Sequence, residues 1–474
     1  MEDIKIDKSI GTPAYKQLGD KIYELIERGI LVPNSKLPAI RKLAKKLNVN
    51  NVTVVSAYKY LENKKIIYSK KGSGTYVSEI ETFEYSETSP KIHYERPNYL
   101  RCETGDIIDF SDSGTSKDFF PVEEFKILFN KVLDRDKGNA FSYTESLGYE
   151  PLRKAITDYI LEVGVKASYD KIQIISGAQQ GIDIISKVML KAGDVAIVER
   201  PTYCGAVGAF LSRGSEVKYV PMENDGVDLK ALESLLKIYK PKFVYVMTYY
   251  QTPTCITYSM DKKRGLLELA MKYDTYVIEE DNQSELKFTD EEIIPLKALD
   301  YKNRVVYIKS FSKILMPGLR IGFMVLPKKI LQNVASVKST TDISTSGLIQ
   351  RAFELYMLSG DLTKHAAKMK KVFKIRYDIL ISALDKHLSP YFKYSKPAGG
   401  LSVWLEVRNR DVDINYLCER LASKSIFVTP ATTFSSSEKD LPFIRLSFAN
   451  IETRKLEEGV MRILETMKEI EKML

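Results

Sequence analysis

The sequence predicts a two-part architecture. A small three-helix module closed by a hairpin spans residues 1–77, a linker follows over 78–105, and a large α/β body fills 106–474. Three observations predict it. The chain has 474 residues, well beyond the roughly 150 typical of one domain. Positive charge is concentrated at the front: residues 1–77 hold fifteen Lys and Arg against seven Asp and Glu, eight of the net +9 of the whole chain. From Asp106 onward, apolar runs of strand length alternate with amphipathic helical stretches, the pattern of a sheet covered by helices.

The helices of the front module come in order. Pro13 opens a helical pattern with Leu18, Ile22, Leu25 and Ile26 on one face, which stops near Gly29, a C-terminal cap. Pro33 and Pro38 bracket a connection, and Ile40, Leu43, Ala44 and Leu47 line a second short helix. Asn48 to Asn51 reads as a turn, with Asn51 as N-cap of a third helix. That helix is expected to send Val54, Val55, Tyr58 and Leu61 to a core and to leave Thr53, Ser56 and Lys59 outward. Ile66-Ile67-Tyr68 and Thr75-Tyr76-Val77 are strand candidates around Lys70-Lys71-Gly72-Ser73-Gly74, a glycine tip that lets backbone approach a phosphate closely. Between Lys36 and Lys71 there are ten basic residues and one acid, Glu62, which suits a polyanion whose counterions are released on binding. Three short helices and a basic hairpin describe a winged helix-turn-helix, whose last helix fits the major groove of double-stranded DNA.

The run LPAIRKLAKKLNVNNVTVVSAYKYLENKKIIYSKKGSGTYV resembles the DNA-binding domain of GntR-type bacterial regulators, over about Pro13 to Val77. The resemblance implies that Arg41, Thr53 and the wing residues Lys70, Lys71 and Gly72 lie on DNA. Two positions depart from the family: Ala39 replaces a usual serine, and Asn51 replaces a usual arginine at the start of the recognition helix.

The linker carries Glu79, Glu81, Glu84 and Glu87, then Pro90 and Pro97, with no lasting periodicity. As a flexible coil its 28 residues would span roughly 30 Å, close to the separation of about 34–36 Å between half-sites one DNA turn apart. Phe83, Tyr85, Tyr94 and Tyr99 are the aromatic residues by which part of it could dock instead.

In the body, Ile172–Ile175, Val195–Val198, Phe243–Met247, Tyr276–Ile278 and Val305–Ile308 suit buried strands, and Leu229 to Ile238 and Lys262 to Tyr273 suit amphipathic helices. Ligands of such a sheet sit beyond the carboxyl ends of its strands. There stand Lys309-Ser310-Phe311-Ser312-Lys313 with Arg320 beyond, the acids Glu279-Glu280-Asp281, the small-residue turn Ser176-Gly177-Ala178-Gln179, and Glu199-Arg200-Pro201-Thr202-Tyr203. A lysine for a Schiff base, a carboxylate for a ring nitrogen, a phosphate cup and a stacking ring are the needs of pyridoxal 5′-phosphate.

Composition narrows the classes further. Hydrophobic residues at 44% and charged residues at 28% exclude a disordered or fibrous chain. No apolar run approaches the roughly 18 residues of a membrane span, and Met1-Glu2-Asp3 lacks the order of a signal peptide. Cys102, Cys204, Cys255 and Cys418 form no close pair, which points to a reducing, cytoplasmic compartment. The isolated His93, His365 and His387 argue against a histidine-built metal site or a serine–histidine triad, and no metal is expected.

The segments GYEPLRKAITDYI, SGAQQGIDI, ERPTYCGA, SFSKILMPGLRIG and FIRLSFA resemble fold-type I, class I aminotransferases in the family's order. The resemblance implies that Lys313 carries the cofactor imine, that Ser310 and Arg320 hold the phosphate, and that Ala178 and Gln179 line the phosphate cup. It also implies that Tyr203 stacks on the ring, that Tyr143 reaches the phosphate of the other subunit of a homodimer, and that Arg445 forks a substrate α-carboxylate. The acid cluster departs from the family. Counting back from Lys313, Glu280 falls at the pyridinium position, Asp281 takes it if the register slips by one, and Asn282 falls where the family has a tyrosine. Thr252-Pro253-Thr254-Cys255 replaces an asparagine-proline-threonine-glycine turn.

Joined, the two halves resemble the MocR subgroup of GntR regulators. The resemblance implies a transcriptional regulator that senses pyridoxal phosphate, alone or with a small amino-compound effector, through its aminotransferase-like body. The alternative is a catalytically active aminotransferase with an appended DNA-binding domain. The Glu280 and Asn282 departures favour sensing. The last helical pattern, Leu456 to Ile470, is amphipathic and is expected to pack on the small subdomain.

Overall fold

The computed structural model describes residues 13–27, 31, 35–47, 49–63, 66–70, 73–78, 107–434 and 442–474. The chain parts into two compact units, residues 1–91 and 92–474.

The first unit folds as three helices, α1 (Ala14–Glu27), α2 (Ile40–Leu47) and α3 (Asn51–Asn63), followed by a hairpin of β1 (Ile67–Lys70) and β2 (Gly74–Val77). Leu18, Ile22, Leu43, Val54 and Leu61 meet in its core. Burying one side of each short helix supplies the stability that helices of this length lack alone. Tyr68 pairs with Tyr76 and Lys70 with Gly74 across the antiparallel hairpin. Lys70 Nζ lies 5.5 Å and 5.6 Å from the ring centroids of Tyr68 and Tyr76, whose stacked rings support it.

Two expectations for this unit are corrected. Asn50, not Asn51, caps α3: its Oδ1 accepts from the Val52 amide at 3.0 Å. Val55 does not enter the core but is 38% exposed, and Ala57 is buried where an apolar contact is needed. The helical repeat explains the exchange, since Val54, Ala57, Tyr58 and Leu61 follow the three-and-four spacing of one face and Val55 lies off it. Arg41 is exposed on α2, and Thr53 is half-buried. Lys71 and Gly72 of the wing, Gly29, Pro33 and almost all of the linker lie outside the described residues.

The second unit starts with β3 (Ile108–Asp109), α4 (Val122–Asp136) and α5 (Glu150–Leu161), then enters the main sheet at β4 (Ile172–Ile175). It continues through α6 (Ala178–Met189), β5 (Val195–Arg200), α7 (Cys204–Leu211), β6 (Glu216–Glu223), β7 (Gly226–Val227), α8 (Leu229–Tyr239), β8 (Phe243–Val246), α9 (Met260–Lys272), β9 (Tyr276–Asp281), β10 (Val305–Ser310) and β11 (Gly322–Val325). The eight strands lie in the order β4-β11-β10-β9-β8-β5-β6-β7. Strands β10, β9, β8, β5 and β6 run parallel, whereas β11 is antiparallel to both β10 and β4, and β7 to β6. The strands are apolar without alternation because helices cover both faces.

Helices α10 (Lys328–Asp342), α11 (Gly347–Leu358) and α12 (Asp361–Ala383) lead to the small subdomain. This contains β12 (Phe392–Tyr394), β13 (Ser402–Val407), α13 (Ile414–Ser423), β14 (Ile426–Phe427), β15 (Thr429–Pro430), β16 (Phe443–Ser447) and α14 (Lys455–Glu471). Its four-stranded antiparallel sheet runs β12-β13-β16-β15. The apolar face of α14 packs against α12 and α13, as its amphipathic pattern predicts. Strand β14 pairs in parallel with β3, so the first described residues of this unit are stitched to the small subdomain.

Candidate cofactor site

Because β4, β5, β8, β9 and β10 run the same way, their carboxyl ends share one edge of the sheet, where a ligand finds unpaired backbone groups. At the end of β10, Ser310 is buried, with its Oγ 3.1 Å from Ser312 Oγ. The chain then turns, and Lys313 comes to rest with Nζ 2.9 Å from Ser113 O and 2.8 Å from Ser113 Oγ. Burial lowers the Lys313 pKa to about 8; Arg445 pushes the same way, and Asp112 and Glu280 oppose it. An amine with that pKa is largely neutral and nucleophilic at mildly alkaline pH, where an ordinary lysine stays protonated.

The small-residue turn Ser176-Gly177 leads into the N-terminus of α6. Gly177 precedes the helix with φ +91°, and no side chain caps the helix end. A Cβ on Gly177 would lie 2.6 Å from Arg320 Nη2, which could move aside, but the φ of +91° itself favours glycine here. Arg320 Nη2 donates to Ser176 O at 2.5 Å, and Arg320 is exposed with φ +51°. Open helix N–H groups, a hydroxyl and a guanidinium together make an anion site. Gln179 Nε2 donates to Gly205 O at 3.0 Å, and the Tyr203 hydroxyl donates to Gln179 Oε1 at 3.1 Å, joining Ala178-Gln179 to the half-buried Tyr203.

Strand alternation separates the acids. Glu280 points to the side of Lys313, whose charge it feels, and accepts from the buried Tyr245 hydroxyl and, at 3.4 Å, from Asn282 Nδ2. Burial raises the Glu280 pKa, a tendency that these hydrogen bonds counter only in part. Asp281 lies on the opposite face. It is 3.0 Å from Lys309 Nζ and accepts from the Tyr307 hydroxyl at 2.7 Å and Ser284 Oγ at 2.6 Å. Burial would raise the Asp281 pKa, but Lys309 and these donors outweigh it and lower it. Lys309 also pairs with Glu285 at 2.8 Å. Of the two acids the sequence left open for a ring nitrogen, Asp281 is thus engaged away from Lys313. Asn282 contacts Glu280, and the neighbouring Gln283 turns its amide to Tyr250 O at 2.7 Å.

Arg445, on β16, is 8% exposed and donates through Nη2 to Ser111 O at 2.8 Å and Thr429 Oγ1 at 3.0 Å. Burial lowers its pKa to about 10. Its buried Nε has no partner, an unmet donor that a ligand carboxylate would satisfy. Cys255, in the departing turn, holds φ +56° and lies with Sγ 3.3 Å from Ser402 Oγ. Tyr143 is 82% exposed and takes no part in the pocket of its own chain. The sequence reading did not find Ser113, Asp112 or Tyr245. The first two lie about 200 positions from Lys313 along the chain, and Tyr245 reads as an ordinary core aromatic. Among the described residues no cluster of His, Cys, Asp and Glu is placed to hold a metal ion, and no helix is long and apolar enough to cross a membrane.

The family described as aminotransferase class I and II matches residues 114–463, and that described as bacterial regulatory proteins, gntR family, matches residues 14–77. The HTH-type transcriptional regulator YdfD of Bacillus subtilis is 29% identical over 474 residues, covering 97% of this chain and 97% of its own. Aromatic-amino-acid aminotransferase 1 of Thermococcus litoralis is 31% identical over 373 residues, 77% of this chain and 89% of its own. The crystal structure of kynurenine aminotransferase from Pyrococcus horikoshii superposes with a TM-score of 0.74 at 33% identity, covering 77% of this chain and 92% of that one. With the lysine and the uncapped helix at one edge of the main sheet, the buried arginine on the small subdomain's sheet, and a helix-turn-helix earlier in the sequence, the chain belongs to the class I and II aminotransferase family and, through its fused gntR-family domain, is a transcriptional regulator of the MocR type.

Proposed function

We propose that the body binds pyridoxal 5′-phosphate and reads it, alone or together with a small amino compound, to control binding of a homodimer to a double-stranded DNA operator. The observation that carries this reading is Lys313, whose pKa burial lowers to about 8, at the edge where Arg320, Ser310 and the α6 N-terminus come together. When bound, the cofactor supplies an aldehyde that condenses with primary amines and a ring that draws electrons. The residues of this chain would do the rest. Ser310, Arg320 and the amides of Ala178 and Gln179 would hold the phosphate, Tyr203 would cover the ring face, and Glu280 would face the ring nitrogen. Arg445 would take a carboxylate of the amino compound through its unpartnered Nε. Tyr143 and Phe141, 82% and 70% exposed, would be covered by a second subunit, with Tyr143 reaching that subunit's phosphate.

Sensing is favoured over turnover by the state of Glu280. A ring nitrogen is held protonated best by an ionised carboxylate, but burial raises the Glu280 pKa, which the Tyr245 hydroxyl and the Asn282 amide that donate to it counter only in part. The working-aminotransferase reading keeps support from Lys313 and Arg445 being together in one pocket. The test is the visible spectrum of the purified protein with and without pyridoxal phosphate, beside Lys313→Ala. A visible band that needs Lys313 is expected, and a band of equal strength in the variant overturns the assignment. Rapid keto-acid formation from a panel of amino donors would favour the enzyme instead.

A further inference from the structure

The outward face of α3 has a composition that the fold does not demand. Val52 is 66% exposed, the most exposed of the large apolar side chains among the described residues of this unit, and Val55, one turn on, is 38% exposed. Asn51, exposed beside them, opens the helix, and Lys59 is exposed one further turn along. Valine is a poor helix former, and neither valine joins the core of the unit. Neither propensity nor packing therefore accounts for two β-branched aliphatic side chains at the solvent face of a helix start. Helix α2, which packs against α3, exposes Arg41, Lys42, Lys45 and Lys46. The occupant that matches is a polyanion with apolar and amide-binding groups in a groove wide enough for a helix: the major groove of duplex DNA.

We infer that the start of α3 reads A·T base pairs, with Val52 and Val55 against thymine methyl groups and Asn51 on adenine. The inference rests on the DNA-binding reading and goes beyond it by naming the bases. The chemistry is specific. In the major groove thymine alone presents a methyl, and an asparagine amide matches the N6 donor and N7 acceptor of adenine. Guanine is read most often by a forked arginine or by lysine. The sequence of α3, NVTVVSAYKYLEN, contains no arginine. Its one lysine, Lys59, lies two turns in from the helix start, whereas the first residues of a recognition helix contact base edges.

The test uses the full-length protein and duplexes selected from a library with a randomised core. The base pairs that α3 reads are those whose preference relaxes in Val52→Ala, a substitution at an exposed position that leaves the core of the unit intact. A·T is expected there, with G·C replacement weakening binding roughly five- to a hundredfold. Replacing thymidine by deoxyuridine at those positions removes only the methyl. It should weaken the wild type about fourfold and leave Val52→Ala unchanged. Guanine–cytosine pairs at those positions, or equal affinity of the wild type for the thymidine and deoxyuridine duplexes, would overturn the inference. Retention of all duplexes alike with steep salt dependence would overturn it too, while DNA binding itself stands; no retention of any duplex would remove both.

Discussion

Lys313, half-buried, and Arg445, buried, are both cations whose pKa desolvation lowers, but to different ends. Lysine falls from 10.5 to about 8 and becomes a nucleophile, whereas arginine falls only to about 10 and stays a charged fork. The rate at which pyridoxal phosphate develops its visible band should therefore rise with pH around a midpoint near 8, not near 10.5. The sign follows from the mechanism: the neutral amine attacks, so lowering the pKa moves the onset down. Stopped-flow absorbance across that range checks it. Arg445→Ala should leave the cofactor band in place while weakening the response to amino acids roughly ten- to a hundredfold, and amines without a carboxylate should be unaffected. The sequence supplied these two residues by motif order. It could not choose between Glu280 and Asp281, because consecutive acids differ only in which face of a strand they occupy. What separates them in the structure is their partners: Lys309 and Tyr307 engage Asp281 on the face away from Lys313.

Strands β9 and β10 do more than present side chains. Asp281 lies opposite Lys309 in their parallel register, and the buried Lys309 joins Asp281 to Glu285. This pair lies directly beside Glu280 and Ser310 in sequence, so it fixes the edge on which both stand. Lys309→Met would strand two carboxylates in the interior and should cost about 3–5 kcal/mol, read as a lowered midpoint in chemical denaturation. Gly177→Ala would push Arg320 Nη2 aside and force a side chain onto φ +91°, so pyridoxal phosphate affinity should fall together with stability, by about 1–3 kcal/mol in chemical denaturation. In the hairpin, Lys70→Ala should flatten the salt dependence of DNA affinity by about one unit of slope per lost phosphate contact. Helices and buried strands were legible because their periodicities are local. The α3 start was misjudged by one residue at the cap, since Asn50 and Asn51 are equally good caps and only backbone geometry separates them.

For the molecule as a whole, exposed Phe141 and Tyr143 predict a partner over that surface. Sedimentation should find a dimer, and Phe141→Glu should shift it toward monomer and weaken cofactor binding with it. The pairing of β3 with β14 has a further consequence for signalling. Residues 110–113 do not lie at a remote corner; they touch the lysine and the arginine of the candidate site. Ser111 holds Arg445, Ser113 holds Lys313, and Phe110 O accepts from the Ser447 amide. A ligand that engages the Lys313 amine competes with Ser113 for it. Occupying the site and releasing Ser113 are then expected as a single event.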